Sequence, residues 1–156
     1  MLRRVSAVII LLLITSFFSL CYGEEARQTD MESAMSETLE LWREGRYEQL
    51  YDRLAKRTRM TKETFVKRME EATVRPSCCW RKLQEFSLLS EKRTEAVVYA
   101  KIGLEGTGRS SDYSTREYRL SHDSGQWKMQ LSDITSMAGL TAKKGKRTHK
   151  KKQHGW

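Results

Sequence analysis

The spacing of apolar residues changes at Pro76, and this change constrains the fold more than any other feature of the sequence. Before Pro76, apolar residues recur three and four positions apart, which is typical of amphipathic helices. After Pro76 they alternate with polar residues, which is typical of strands with one buried face. Proline ends the last helix because its ring and missing amide hydrogen are incompatible with a helix interior. The sequence therefore predicts an α+β domain in which three helices precede four strands.

The three helices are predicted from capping residues as well as from spacing. The first spans about residues 30 to 44, with Asp30 or Ser33 available as its N-cap and Gly45 at its end. The second lies in "RYEQLYDRLAKR", and the third follows the N-cap Thr61 through "KETFVKRMEEA". The residues expected to face the core are Met31, Met35, Leu39, Trp42, Tyr47, Leu50, Tyr51, Leu54, Phe65, Met69 and Ala72.

The predicted strands lie in "KLQEFSLLS", in "EAVVYAKIGLE" and in a hairpin with its turn at "SHDSG". In the last strand Trp127, Met129 and Leu131 alternate with polar residues, and Asp133 ends the strand. Trp127 is expected on the apolar face, so that Trp127→Ala would destabilise the domain by roughly 3 to 5 kcal/mol.

Three stretches, "LELWREGRYEQLYDRLA", "TKETFVKRMEEA" and "YRLSHDSGQWKM", resemble the nuclear transport factor 2-like (cystatin-like cone) superfamily. The resemblance covers roughly residues 30 to 135 and rests on an aromatic residue and a glycine near the first helix turn and on a Gly-x-Trp-Lys strand start. It implies N-terminal helices packed on a curved antiparallel sheet of about four strands, whose concave side often forms a pocket. Because the superfamily is functionally mixed, the resemblance implies no single activity.

Residues 1–23 have the layout of a secretory signal peptide. Arg3 and Arg4 precede a long apolar run, and cleavage after Gly23 would begin the mature chain at Glu24. This pattern predicts an exported protein, either periplasmic or secreted. Two alternatives stay open: an uncleaved N-terminal helix that anchors the chain in a membrane, and lipid attachment at Cys21. The second is disfavoured because a lipoprotein signal requires a small residue just before the cysteine.

The excess positive charge of the chain lies at its two ends. Of the 29 Lys and Arg residues, two lie in the first 23 positions and seven in the tail, residues 143–156, which leaves 20 basic and 20 acidic residues in the segment 24–142. The body is thus a formally neutral single domain, and the tail is predicted to be disordered. The tail cations are Lys143, Lys144, Lys146, Arg147, Lys150, Lys151 and Lys152.

The composition of the tail predicts an anionic partner. For an exported chain this is an anionic membrane surface, lipopolysaccharide or a wall polymer, whereas nucleic acid is not expected because the body carries no basic surplus. Trp156 beside the cations favours a membrane interface. The alternative is a solubilising tail without a partner.

A ligand pocket is predicted on the concave side if the sheet curves as the resemblance implies. Tyr51, Tyr99, Tyr118 or Trp127 would line it and contact an apolar ligand. The alternative is that every aromatic residue of the body belongs to the core. Association of two copies through the sheet is a further open interaction.

Cys78 and Cys79 are adjacent in "RPSCCW" and are the only cysteines outside the leader. In an oxidising compartment they could form a vicinal disulfide, link two chains, or stay as reduced thiols. A zinc site is not expected because two adjacent sulfurs without further ligands lack the usual spacing.

No residue pattern indicates catalysis. His122 lies in the predicted hairpin turn, His149 and His154 lie in the tail, and nothing in the sequence pairs Asp52 or Asp133 with a second group. The sequence therefore predicts no enzyme, no cofactor and no metal. The expected function is an exported, non-enzymatic binding or interaction module, and the alternative is a small-ligand carrier or enzyme that uses the concave pocket.

Overall fold

The computed structural model describes residues 25–55, 60–106, 108 and 112–140. Helix α1 occupies the described residues 25–43. The elements that follow are α2 (Tyr47–Arg53), α3 (Lys62–Glu71), β1 (Arg75–Pro76), a 3₁₀ turn (Cys79–Arg81), β2 (Gln84–Glu91), β3 (Glu95–Glu105), β4 (Asp112–Asp123), β5 (Gln126–Met129) and α4 (Leu131–Met137). The predicted α+β class with a curved antiparallel sheet is confirmed.

The predicted C-terminal end of α1 and the predicted start of α3 are confirmed by their hydrogen bonds, whereas Asp30 and Ser33, the predicted N-caps of α1, lie inside that helix. After α1 the amide of Gly45 donates to the carbonyl oxygen of Trp42 at 3.1 Å, and the amide of Arg46 donates to that of Leu41 at 2.9 Å. This pair of bonds is a Schellman motif, which needs a left-handed residue, and Gly45 supplies it with φ 73°. At the start of α3 the Thr61 hydroxyl accepts from the amide of Thr64 at 3.3 Å.

The sheet is built around β3, which pairs with three other strands, β1, β2 and β4. Its edge next to β4 is paired from Glu95 to Leu104. On its other edge β2 pairs with residues 96–101, and β1 pairs with the C-terminal residues 104 and 105. Beyond β4, the short strand β5 completes the sheet. Two register shifts interrupt the pairing of β2 with β3, and such bulges bend a strand and increase its twist.

The core fills the space between the helices and one face of the sheet. Ala96, Val98, Ala100 and Ile102 of β3 are at most 1 % exposed, and they share one cluster with the apolar stripes of α1, α2 and α3. The alternation predicted for this strand is therefore confirmed. The largest side chains exposed by less than 2 % are Trp42, Tyr118, Phe65, Met31, Met35, Leu39, Leu50, Leu54, Met69, Ile102, Leu120 and Met129.

The prediction for the end of the domain was wrong. Strand β5 ends at Met129, and Leu131 begins α4 rather than continuing the strand. Leu131, Ile134 and Thr135 are buried at helical spacing. Leu131 fits the two-residue alternation of the strand as well as the three-to-four-residue spacing of the helix. The sequence therefore does not mark where the strand ends and the helix begins. A parallel bridge between Ala55 and Gln130 fixes the junction, and Asp133 consequently lies in the first turn of α4.

Among the described residues no helix is both long enough and apolar enough to span a membrane.

Candidate functional site

The four aromatic residues predicted to line a pocket do not line one cleft together. Tyr118 pairs with Val98 on the core face and is 1 % exposed, whereas Tyr99 pairs with Glu117 on the opposite face of the sheet. Successive side chains of a strand point to opposite faces, so Tyr99 and Tyr118 cannot meet in one cavity. Tyr99 and Tyr118 therefore do not line the same cleft.

Each of the other two predicted pocket residues packs locally. The Tyr51 hydroxyl donates to the carbonyl oxygen of Met60 at 2.7 Å, and its ring lies 5.5 Å from that of Phe65. Trp127 is half-buried, and its ring lies 4.8 Å from the ring of His122, with which it is paired across the hairpin. Both residues lie against the core cluster. They contribute packing at two separate places.

Tyr118 is held in the interior by its own polar contacts. Its hydroxyl lies 2.8 Å from the hydroxyl of Ser114 and 3.0 Å from the carbonyl oxygen of Ser114, so its hydrogen-bonding needs are met inside the strand. Burial raises the pKa of this phenol, while the contacts with Ser114 and Arg116 oppose the increase. Tyr118 is therefore a neutral phenol with satisfied hydrogen bonds that packs in the core.

Of the two carboxylates considered as bases, Asp52 is a surface group. Its Oδ2 lies 2.7 Å from the Nζ of Lys62, and its side chain is 58 % exposed. Salt bridges of this kind in solvent contribute little to stability and do not prepare a carboxylate for proton transfer.

Asp133 has the more distinctive environment. It lines a surface depression of about 360 Å³ between the start of α4 and the edge of β4. Burial raises the pKa of its carboxyl, and the positive charges of Arg116 and Arg119 partly offset this effect. Arg116 donates to its Oδ1 at 3.3 Å and lies 5.0 Å from the ring centre of Tyr118. The depression therefore contains a carboxyl group with a raised pKa, and Glu117 also lines it.

Cys78 and Cys79 are joined in a vicinal disulfide, with an S–S distance of 2.10 Å. The segment 77–82, which we name the disulfide turn, connects β1 to β2. Its start is held by the amide of Ser77, which donates to the carbonyl oxygen of Gly103 at 2.8 Å. Its end is held by Lys82, which forms an ion pair with Glu40 of α1. Non-covalent contacts thereby hold both ends of the turn, and the disulfide restricts the backbone between Cys78 and Cys79.

Gly103 allows the disulfide turn to pack against β3. A Cβ atom at this position would stand 2.3 Å from the carbonyl oxygen of Arg81 and 3.1 Å from the hydroxyl oxygen of Ser77. Backbone atoms cannot yield as a flexible side chain can, so any larger residue would displace the turn. The glycine in "KIGLE" is therefore explained by close approach of two chain segments.

The disulfide turn presents an aromatic residue to solvent beside a row of cations. Trp80 is 74 % exposed, and its ring centre lies 5.9 Å from the guanidinium of Arg81. Arg81 donates to the Tyr113 hydroxyl from Nη2 at 3.3 Å and from Nε at 3.4 Å, and the Nζ of Lys101 lies 4.7 Å from the ring centre of Tyr113. We name these four residues, Trp80, Arg81, Tyr113 and Lys101, the outer row.

The outer row is the surface that the sequence did not predict. Tyr113 lies opposite Gly103 in the pairing of β4 with β3, on the face that does not contact the helices. Trp80 and Tyr113 are 33 positions apart in the sequence, and only the pairing of strands brings their two segments together. The available signal was "CCWR", in which a disulfide-forming pair precedes an aromatic residue and a cation.

The remaining predicted site elements are the two ends of the chain, His122 and a metal site. The basic tail and the leader, residues 1–23, lie outside the described residues. His122 packs on Trp127 in the hairpin. Within the described part of the chain no group of three or more His, Cys, Asp or Glu side chains could hold a metal ion.

The chain matches no protein-family model and no curated protein. Membership of the nuclear transport factor 2-like superfamily therefore stays a prediction from the sequence.

Proposed function

We propose that this chain is an exported binding module without catalytic activity, and that its tail binds anionic surfaces. The observation that carries the proposal is the distribution of charge. Seven cations lie in the tail and no acidic residue accompanies them, whereas the body carries equal numbers of each sign. Cations near an anionic bilayer contribute about 1 kcal/mol each, and this attraction weakens with added salt.

The packing of the body supports a binding role for its surface rather than for its interior. The side of the sheet that faces the helices is occupied by large apolar side chains, among them Trp42, Phe65 and Tyr118. A small-molecule site normally needs a cavity lined by apolar and a few polar groups. In the described residues this volume is filled by the side chains of the protein.

The proposal is tested on the full-length mature chain with the seven tail cations replaced by glutamine. We expect at least a tenfold loss of binding to vesicles that contain phosphatidylglycerol, because charge supplies most of the attraction. Lipopolysaccharide and an anionic wall polymer are measured in parallel to identify the surface. The melting temperature should stay unchanged. The matched control replaces four exposed cations of the body, Lys67, Arg68, Lys92 and Arg93, with glutamine.

Two results would contradict the proposal. Equal binding by the wild-type and tail-neutralised chains would show that the tail is not the contact. Intact Met1, or a lipid on Cys21, in the exported protein would reject cleavage before Glu24, which mass spectrometry measures directly.

A second candidate function rests on Asp133 alone. Its carboxyl lies beside a depression of about 360 Å³, and burial raises its pKa above the ordinary value of 3.8. A carrier or enzyme that uses this depression would bind its ligand against Ser132 and Gln130. Asp133→Asn would then abolish ligand binding or turnover without affecting binding to anionic surfaces.

A further inference from the structure

We infer that the outer row is a second binding site, for an anionic polysaccharide, and that it acts independently of the tail. A sugar ring would pack its apolar face on Trp80, and a carboxylate or phosphate of the polymer would bind Arg81. The inference goes beyond the proposed function because it places a specific site on the folded body.

The first step concerns the rigidity of Trp80. The indole is 74 % exposed, yet its backbone directly follows the ring of the Cys78–Cys79 disulfide, in a turn that is anchored to Gly103. Ordering flexible groups opposes binding, and a fixed aromatic side chain avoids much of this cost. Tryptophan also offers a large apolar face with little rotamer freedom to lose. The turn therefore presents a preorganised stacking surface.

The second step concerns the charge of Arg81. The two cations next to it are each paired with a carboxylate: Lys82 with Glu40, and Lys101 with Glu85. No carboxylate of the described residues lies within 4.0 Å of the Arg81 guanidinium, whose contacts are with Trp80 and Tyr113. The Nη1 donors stay available, and a guanidinium binds carboxylate or phosphate oxygens through paired donors. The Arg81 guanidinium can therefore bind a carboxylate or phosphate group of a ligand.

The third step identifies the kind of anion carrier. A membrane contact would need neighbouring apolar side chains, but the contacts shown for Trp80 are with the Arg81 guanidinium and with Gln84, whose amide donates to the Trp80 carbonyl oxygen at 3.4 Å. Leu89, the other exposed large apolar residue in the part of the chain that the structure describes, lies near Val97 and Val98 in the strand pairing, about 16 Å along β3 from Gly103. An aromatic face beside one unpaired cation suits an acidic sugar polymer, which has apolar ring faces and regularly spaced anionic groups.

The experiment measures binding of an oligogalacturonate by the full-length chain and by the tail-neutralised chain, with neutral dextran and phosphatidylglycerol vesicles as comparison probes. We expect Trp80→Ala and Arg81→Gln each to weaken oligogalacturonate binding roughly tenfold or more in both backgrounds. Arg81→Lys should weaken it nearly as much, because lysine keeps the charge but loses the paired donors. Leu89→Ala and Arg93→Gln are the matched controls and should leave binding unchanged.

Three outcomes would overturn the inference. Equal binding by Trp80→Ala, Arg81→Gln and wild type would show that the tail alone meets the polymer, which leaves the proposed function intact. Loss of vesicle binding without loss of oligogalacturonate binding would make the outer row a membrane contact. If the wild-type chain sediments as a dimer and the Trp80→Ala variant as a monomer, the outer row is a dimer interface. Near-ultraviolet circular dichroism confirms that each variant is folded.

Discussion

The two faces of β3 share one backbone but differ in what they contact. On the inner face Ala96, Val98, Ala100 and Ile102 are at most 1 % exposed and meet the helices. On the outer face the intervening residues, among them Tyr99 and Lys101, are half-buried and meet solvent or the outer row. The comparison shows that the inner face stabilises the fold, whereas the outer face carries the side chains to which we assign binding. Tryptophan occurs on both sides of this division, in Trp42 and Trp80.

The largest expected effect is a difference between these two tryptophans. Trp42 is 1 % exposed in the core, so Trp42→Ala should lower the free energy of unfolding by about 3 to 5 kcal/mol. Trp80→Ala removes a side chain that is 74 % exposed and should change it by less than about 0.5 kcal/mol. Urea denaturation of both variants measures the contrast. Similar losses for the two would contradict the division between a packed inner face and an exposed turn.

The next largest effect is expected at Gly103, where the outer face touches the disulfide turn. Gly103→Ala brings a Cβ within 2.3 Å of the Arg81 carbonyl oxygen and should destabilise the domain by about 1 to 3 kcal/mol. The turn should also move, which would shift the indole resonance of Trp80. Gly139→Ala is the control, because its Cβ meets no atom within 4 Å and only its φ of 74° is strained. An unmoved Trp80 in Gly103→Ala would show that the turn is not anchored there.

Trp127 tests where the inner face ends. The sequence predicted Trp127 on the apolar face of the last strand, with a loss of about 3 to 5 kcal/mol for Trp127→Ala. Because the side chain is only half-buried at the hairpin, we expect a loss of about 1 to 2 kcal/mol. His122→Ala removes the ring it lies against and should cost less. A loss above about 3 kcal/mol for Trp127→Ala would place Trp127 in the core itself.

The smallest expected effect concerns Asp133. Its pKa in the folded protein is raised above the ordinary value of 3.8, so its contribution to stability is present below that value and is lost as the pH rises through the raised pKa. Asp133→Asn removes this titration. The stability of the variant relative to wild type should therefore increase with pH across the acidic range. A relative stability that falls with pH would mean that the ion pair with Arg116 outweighs burial.

Local patterns predicted much of the inner face and little of the outer row. The alternation in β3, the glycine after α1 and the Thr61 cap each depend on neighbours a few residues apart, and each is confirmed. Helix α4 was missed because Leu131 fits both a strand and a helix. The outer row and the separation of Tyr99 from Tyr118 depend on strand pairing, which alternation alone does not specify.

The central claim is that this protein binds its ligands on its surface and not in the packed interior. Its four tryptophans allow one measurement to test this claim. A ¹⁵N-labelled full-length chain is titrated with oligogalacturonate while the four indole N–H resonances are followed. We predict that the resonances of Trp80 and Trp156 shift and that those of Trp42 and Trp127 do not. Shifts of Trp42 without shifts of Trp80 or Trp156 would contradict the account, because the ligand would then occupy the interior.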